Sequence, residues 1–177
     1  RDGGVAIVNA DDESREAMIR ATKAMVLRCS ERNQVGQHAD CSARIDRQTI
    51  AYTSARFAGP WGAFDADLPL IGAHNVMNAL QAMTVADALG VDGPALHEML
   101  GQVTAPPGRL EPVTTSEHPF AVLVDYAHTD DALENVLRAL RPIVPSHGRL
   151  RAVFGCGGDR DKTKRPRMAR VACKFAD

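Results

Sequence analysis

Cysteine is scarce in this sequence, aromatic residues make up only 5% of it, and neither sign of charge dominates. The four cysteines, Cys29, Cys41, Cys156 and Cys173, form no Cys-x-x-Cys pair and are too sparse for a disulfide framework, so a reducing, cytoplasmic setting is expected. His38 and Cys41, with Cys29 upstream, do not make the tight four-ligand set of a structural zinc, and no metal site is expected. No apolar run approaches the roughly 18 residues of a membrane span, which argues against a membrane partner. Arg1-Asp2-Gly3-Gly4 lacks the charged-then-apolar order of a signal peptide, and without an initial Met the chain reads as a fragment. With 21 Lys and Arg against 22 Asp and Glu, electrostatic tracking of a nucleic acid is not expected. What is present is 45% hydrophobic residues over 177 positions, enough for one domain or two small ones with a buried core.

The periodicity predicts an α/β protein. Val5-Ala6-Ile7-Val8 reads as a buried strand ending in the polar turn Asn9-Ala10-Asp11-Asp12, followed by a helix over about 13–24. Between Met25 and Phe57, short pieces rich in Ile, Thr, Tyr and Val suggest antiparallel strands. Val76, Leu80 and Met83 form one stripe of a helix over 72–89 that Gly90 stops. A second helix is expected over 94–102, with Leu96, Met99, Leu100 and Val103 facing inward. Ala105-Pro106-Pro107-Gly108 then breaks the chain, and a domain boundary is expected there, between residues 1–107 and 108–177. Beyond it, the apolar run Phe120–Val124, a helix carrying Leu133, Val136, Leu137 and Leu140, and a second strand near 151–154 predict a βαβ unit on a parallel sheet. A last helix is expected over about 165–175.

Ligands of an open parallel sheet sit beyond the carboxyl ends of the strands, and two polar clusters fall at such positions. In Asp125-Tyr126-Ala127-His128-Thr129, Asp125 can accept from ribose hydroxyls and His128 suits a phosphate. Thr129, Asp130 and Asp131 are better read as a helix cap and its dipole partners. Gly155-Cys156-Gly157-Gly158 lets the backbone turn sharply, and the charged run Asp159 to Arg165 can hold anions or pair internally. It is neither a dinucleotide fingerprint, since Arg160 stands where the third glycine belongs, nor a Gly-Lys-Ser/Thr phosphate loop. A third cluster, Gly72-Ala73-His74-Asn75-Val76-Met77-Asn78, puts two carboxamides on one helix face, able to read a base edge or simply to meet solvent.

Taken together and in order, Gly72-x-His74-Asn75-x-x-Asn78-Ala79-Leu80, Pro107-Gly108-Arg109-Leu110-Glu111, Asp125-Tyr126-Ala127-His128-Thr129 and Gly155-Cys156-Gly157-Gly158-Asp159-Arg160-Asp161-Lys162 resemble the successive motifs of the Mur ligases, most closely their tripeptide synthetase (MurE) branch. Asn9-Ala10-Asp11-Asp12 resembles a turn of the same family. The resemblance implies the remainder of a central ATPase domain followed by the first part of a Rossmann-like C-terminal domain with a parallel sheet. It implies ATP-dependent amide formation through an acyl phosphate, in which a diamino acid such as meso-diaminopimelate joins a UDP-muramoyl dipeptide. Both substrates are small molecules, and the family resemblance suggests a monomer.

By the same resemblance, Asn78 contacts the adenine, with His74 and Asn75 shaping its pocket. Arg109 reaches the nucleotide and Asp125 the ribose, His128 lies near the phosphates, Arg160 receives a carboxylate of the incoming amino acid, and Lys162 sits by the reacting phosphate. The family has Pro where this chain has Asp130, and both suit a helix's first turn. Its Gly-Lys-Thr loop, modified lysine and Mg2+ ligands precede the matched region, so the fragment is expected to be inactive alone. Cyanophycin and folylpolyglutamate synthases share parts of this pattern, and a non-catalytic nucleotide-binding module is the reading from another class.

Overall fold

A computed structural model describes residues 3–114, 117–157 and 161–177. The chain divides into two compact units, the first ending at Thr104 and the second comprising Thr49–Ala51 and Ala105–Asp177.

The first unit is a mixed five-stranded sheet in the order β1-β2-β3-β4-β5. β1 (Val5–Asn9) and β2 (Met25–Ser30) pair in parallel, from Val5 opposite Met25 to Asn9 opposite Cys29. β2 also runs parallel to β3 (Cys41–Gln48), but over only two positions, Cys29 with Cys41 and Ser30 with Ser42. β3, β4 (Thr53–Gly59) and β5 (Gly62–Leu68) then follow as antiparallel neighbours. The expectation of antiparallel strands from Met25 onward therefore fails for β2. The segments before and after β2 each carry the chain back to the starting edge, and such returns produce parallel neighbours. β5 lies beyond the stretch read as strands, although Phe64, Ala66 and Leu68 do alternate.

Helix α1 is only Arg15–Ile19, shorter than the periodicity suggested, and it buries no residue; with no packed face, propensity alone does not extend a helix. α2 (Ala73–Ala88) is the main covering element, burying Val76, Met77, Leu80, Met83 and Thr84 across β1 to β4. It starts after Gly72 at φ +95°, a conformation that a side chain would strain. α3 (Gly93–Gly101) is capped by Asp92, whose carboxylate accepts from the Ala95 N–H at 2.9 Å, and it packs Leu96 and Leu100 toward β5 and α2. Met99, expected inside, is 56% exposed because it falls at the margin of that stripe.

The second unit differs more from expectation. Its apolar run yields only β7 (Leu123–Val124), antiparallel to β6 (Glu111–Pro112), and the Val113 N–H donating to the Val122 carbonyl extends the hairpin. Phe120, Val122 and Val124 are exposed rather than buried, residues 151–157 form no strand, and no parallel sheet is present among the described residues of this unit. The run pairs with the segment nearest in sequence, where loop closure costs least. The helices do follow the pattern: α4 (Asp130–Leu140) buries Leu133, Leu137 and Leu140, and α5 (Lys164–Phe175) meets it through Met168. Leu150, Ala152, Cys156, Val171, Ala172 and Phe175 pack around that contact. The Asp177 carboxylate accepts from Arg141 at 2.7 Å and from the Leu150 N–H at 2.8 Å, and these partners hold its carboxyl below the usual carboxylate range.

The carboxyl ends of β1 and β2 are tied by one acidic group. Asp11 accepts from the Ser30 hydroxyl at 2.6 Å and from the Glu31 N–H at 2.7 Å, while its own N–H donates to Asn9. Beside it, Glu31 has a buried Oε1 without a hydrogen-bond partner. Burial first, and the Asp11 charge second, push its carboxyl up to about 7, against the Met77 N–H and Arg32, which favour the anion. A folded-state value raised above the ordinary 4.5 favours folding below that pH, and the benefit is lost as pH rises through about 7. Thermal unfolding followed by circular dichroism should therefore show stability falling between pH 5 and pH 8. Glu31→Gln should flatten that dependence and raise Tm at pH 8; an unchanged slope in the variant would remove Glu31 as its source.

Candidate functional site

In the first unit, two contacts set the direction of α2. Cys29 Sγ lies 3.3 Å from Thr84 Oγ1, and the Met77 backbone N–H is near enough to the Glu31 carboxyl to favour its anion. Going forward along β2 thus means going backward along α2, so the helix starts at the carboxyl ends of the parallel strands. Its first turns offer backbone N–H groups there, the arrangement that favours phosphate and polar ligands. His74 and Asn78 are exposed and one turn apart on the same helix face. Asn75 is half-buried and turned to structure: its amide donates to the Ile71 carbonyl at 2.8 Å, closing the loop that enters the helix.

In the second unit, Arg109, Asp125 and His128 gather around one short turn. Asp125 Oδ2 accepts from the Leu110 N–H at 2.9 Å and Oδ1 from the Ala127 N–H at 2.8 Å. The Tyr126 N–H donates to the Gly108 carbonyl at 2.8 Å, and Glu111 accepts from the Gly108 N–H at 2.7 Å. These bonds hold Leu110 at φ +47°, a left-handed conformation uncommon outside glycine, while its side chain is only 2% exposed. The exposed Arg109 guanidinium stands 6.0 Å from the centre of the Tyr126 ring, which lies 5.1 Å from the His128 ring. His128 Nδ1 is 3.1 Å from the Tyr126 carbonyl. Each Asp125 oxygen keeps a lone pair beyond its backbone bond, so the carboxylate can still accept from a hydroxyl.

Thr129 caps α4 by accepting from the Ala132 N–H at 3.1 Å, with Asp130 and Asp131 in the first turn. Asp161 accepts from the Thr163 hydroxyl at 2.5 Å and from its N–H at 2.9 Å, which lowers its carboxyl from the usual range, and it also pairs with Arg167. Arg167 reaches Asp130 at 3.5 Å, tying the start of α4 to α5. Lys162 is exposed in the turn before α5. Arg160, with Gly158 and Asp159, lies outside the described residues.

Residues to which the sequence reading gave no role carry much of this geometry: Glu31, outside the motifs, and Asp11, Leu110 and Glu111, within them. Their signals were weak, because an acidic residue in a polar turn and a lone Leu after Arg have many ordinary roles. A cleft of about 530 Å³ lined by Arg15, Arg28, Asn33, His38 and Asp40 contains none of the candidate site residues, although Ala10 of the Asn9–Asp12 turn borders it. Among the described residues no group of three or more His, Cys, Asp or Glu side chains is placed to hold a metal ion.

Residues 1–86 match the family model described as the Mur ligase middle domain, and residues 108–177 match the Mur ligase glutamate ligase domain. UDP-N-acetylmuramoyl-L-alanyl-D-glutamate–2,6-diaminopimelate ligase of Chlorobaculum tepidum is 38% identical, over 98% of this chain and 35% of its own length. A UDP-N-acetylmuramyl-tripeptide synthetase of a Roseiflexus species is 41% identical, over 98% of this chain and 33% of its own length. A solved structure of a UDP-N-acetylmuramoyl-L-alanyl-D-glutamate–2,6-diaminopimelate ligase superposes with a TM-score of 0.69 at 34% identity, covering 98% of this chain and 35% of that one. The chain thus spans about a third of the length of the relatives it matches. With the motifs in order and both domain models matched in sequence, the chain belongs to the Mur ligase family.

Proposed function

We propose that this chain supplies nucleotide- and amino-acid-handling residues of an ATP-dependent ligase of the MurE type, with residues 1–107 from its central domain and 108–177 from its C-terminal domain. The enzyme would join a diamino acid, meso-diaminopimelate by the names of its relatives, to UDP-N-acetylmuramoyl-L-alanyl-D-glutamate. The substrate carboxylate would attack the γ-phosphate of ATP and release ADP. The amine would then attack the acyl phosphate, forming the amide and releasing inorganic phosphate. Charge neutralisation, exclusion of water and in-line placement of the amine are what such a site must provide.

The observation that carries this reading is the pair His74 and Asn78 standing exposed at the start of α2, beside the carboxyl ends of two parallel strands, in a chain with these relatives. Asn78 offers a donor and an acceptor to the adenine edge, and His74 borders the same surface, with Asn75 shaping the loop behind it. Asp125 would accept from the ribose, Arg109 would reach the nucleotide, and His128, on the same turn, would lie near the phosphates. Lys162 would neutralise the reacting phosphate, and Arg160 would take a carboxylate of the incoming amino acid. Magnesium, which a phosphoryl transfer of this kind employs, would bind to residues other than those described, and none of these roles runs through it.

Titration calorimetry of the 177-residue chain with ADP should detect binding, and Asn78→Ala should weaken it roughly tenfold, the cost of one good polar contact to a base. Equal affinity in the variant, or no binding by the parent chain, would overturn the assignment of the adenine site.

No Gly-x-x-Gly-Lys-Thr loop occurs within these 177 residues, and Lys162 with Arg160 cannot replace a phosphate cradle and its metal. Incubated with ATP, the muramoyl dipeptide nucleotide and diaminopimelate, the chain should give no tripeptide by mass spectrometry. Product above the level of a protein-free control would refute this.

A further inference from the structure

Two of the four cysteines are placed side by side and serve none of the roles above. Cys29 on β2 and Cys41 on β3 are directly opposite in the parallel register, and both are 0% exposed. Paired in register, their side chains stand on the same face of the sheet, and Cys29 Sγ lies 3.3 Å from the Thr84 hydroxyl, which donates to the Leu80 carbonyl. Neighbouring strands stand about 4.7–4.9 Å apart, inside the range of about 4.4–6.8 Å between Cα atoms that a disulfide spans. The location matters as much as the distance. The β2–β3 ladder has two paired positions, whereas β1–β2 has five and β4–β5 seven. It is also where the parallel part of the sheet meets the antiparallel part.

We propose that Cys29 and Cys41 form an oxidant-responsive dithiol that closes to an intrachain disulfide, stapling the first unit's sheet at its shortest ladder. With hydrogen peroxide as oxidant, the Cys41 thiolate attacks one peroxide oxygen, giving a sulfenic acid and hydroxide. The Cys29 sulfur then attacks the Cys41 sulfur, forming the S–S bond and releasing water. The hydroxide takes up the proton lost when Cys41 ionised. Overall the two thiols lose two electrons and two protons, and one peroxide becomes two waters. The balance is the same with the two sulfurs exchanged. Because neither sulfur meets solvent, peroxide reaches them only when β2 and β3 part, and that opening sets the rate. Closure removes the Cys29 thiol from Thr84 and leaves Thr84 bonded to Leu80.

The test uses the 177-residue chain with Cys156→Ser and Cys173→Ser, which removes the half-buried and the exposed thiol. After peroxide treatment under native conditions, free thiols are blocked with N-ethylmaleimide in denaturant and the chain is digested with trypsin without reduction. Peptide 29–32 should appear linked to peptide 33–44 at a mass two hydrogens below their sum. Sub-denaturing urea should speed its formation, and Tm should rise by roughly 5 °C in a way that dithiothreitol reverses. If both cysteines remain fully alkylated, or stop at separate sulfenic or sulfinic acids while the far-UV spectrum stays native, the proposal is wrong. If the linked peptide forms but Tm does not rise, the staple is overturned.

Discussion

Burial of one helix face against a mixed sheet is the constraint on which the first unit depends. Val76, Leu80 and Met83 of α2 are almost fully enclosed, as are Cys29, Cys41, Ala43, Ala55 and Phe57 on the strands. A fully buried Leu or Val side chain contributes on the order of 1.5–3 kcal/mol, so this single contact outweighs exposed ion pairs such as Arg56–Asp65, whose worth is about 1 kcal/mol at most. It also has a directional consequence. With α2 locked antiparallel to β2, its N-terminal turns must lie at the strands' carboxyl ends, and His74 and Asn78 follow on its exposed face.

Polar groups at those strand ends complete what the apolar contact begins. Asp11 bonds both Ser30 and the Glu31 backbone, so the exits of β1 and β2 are held by one carboxylate. The consequence is an acidic neighbour for Glu31, whose own carboxyl is costly to ionise there. A protein selected only for stability would place a neutral side chain at such a position. In the second unit the corresponding device is Asp125, which spends a lone pair of each oxygen on backbone N–H groups and holds Leu110 in a strained conformation. Arg109 and Tyr126 are brought together by that clamp, and neither needs a large apolar core of its own.

Much of this is legible in the sequence. The stripes Val76-Leu80-Met83 and Leu133-Leu137-Leu140, the stop at Gly90 and the cap at Thr129 are local patterns, and local patterns survive folding because they rest on neighbours within one or two turns. The motif residues were legible for another reason: their order along the chain, rather than any single one, marked the family. Strand partnership was not legible. β2 read as one more member of an antiparallel set, and Phe120–Val124 read as a buried parallel strand, yet β2 is parallel on both sides and the latter run forms a two-residue ladder with Glu111–Pro112.

The sequence by itself determined which segments are helical, which faces are apolar and which family's motifs the chain carries, since each is set by residues close together or by their order. Only the tertiary structure decided that Cys29 meets Cys41, that Asp11 sits beside Glu31, and that Asp125 reaches back to Leu110. Those contacts join residues 12, 20 and 15 positions apart. Strand register and long-range hydrogen bonds arise from burying one particular set of surfaces together, and no periodicity along the chain encodes that choice.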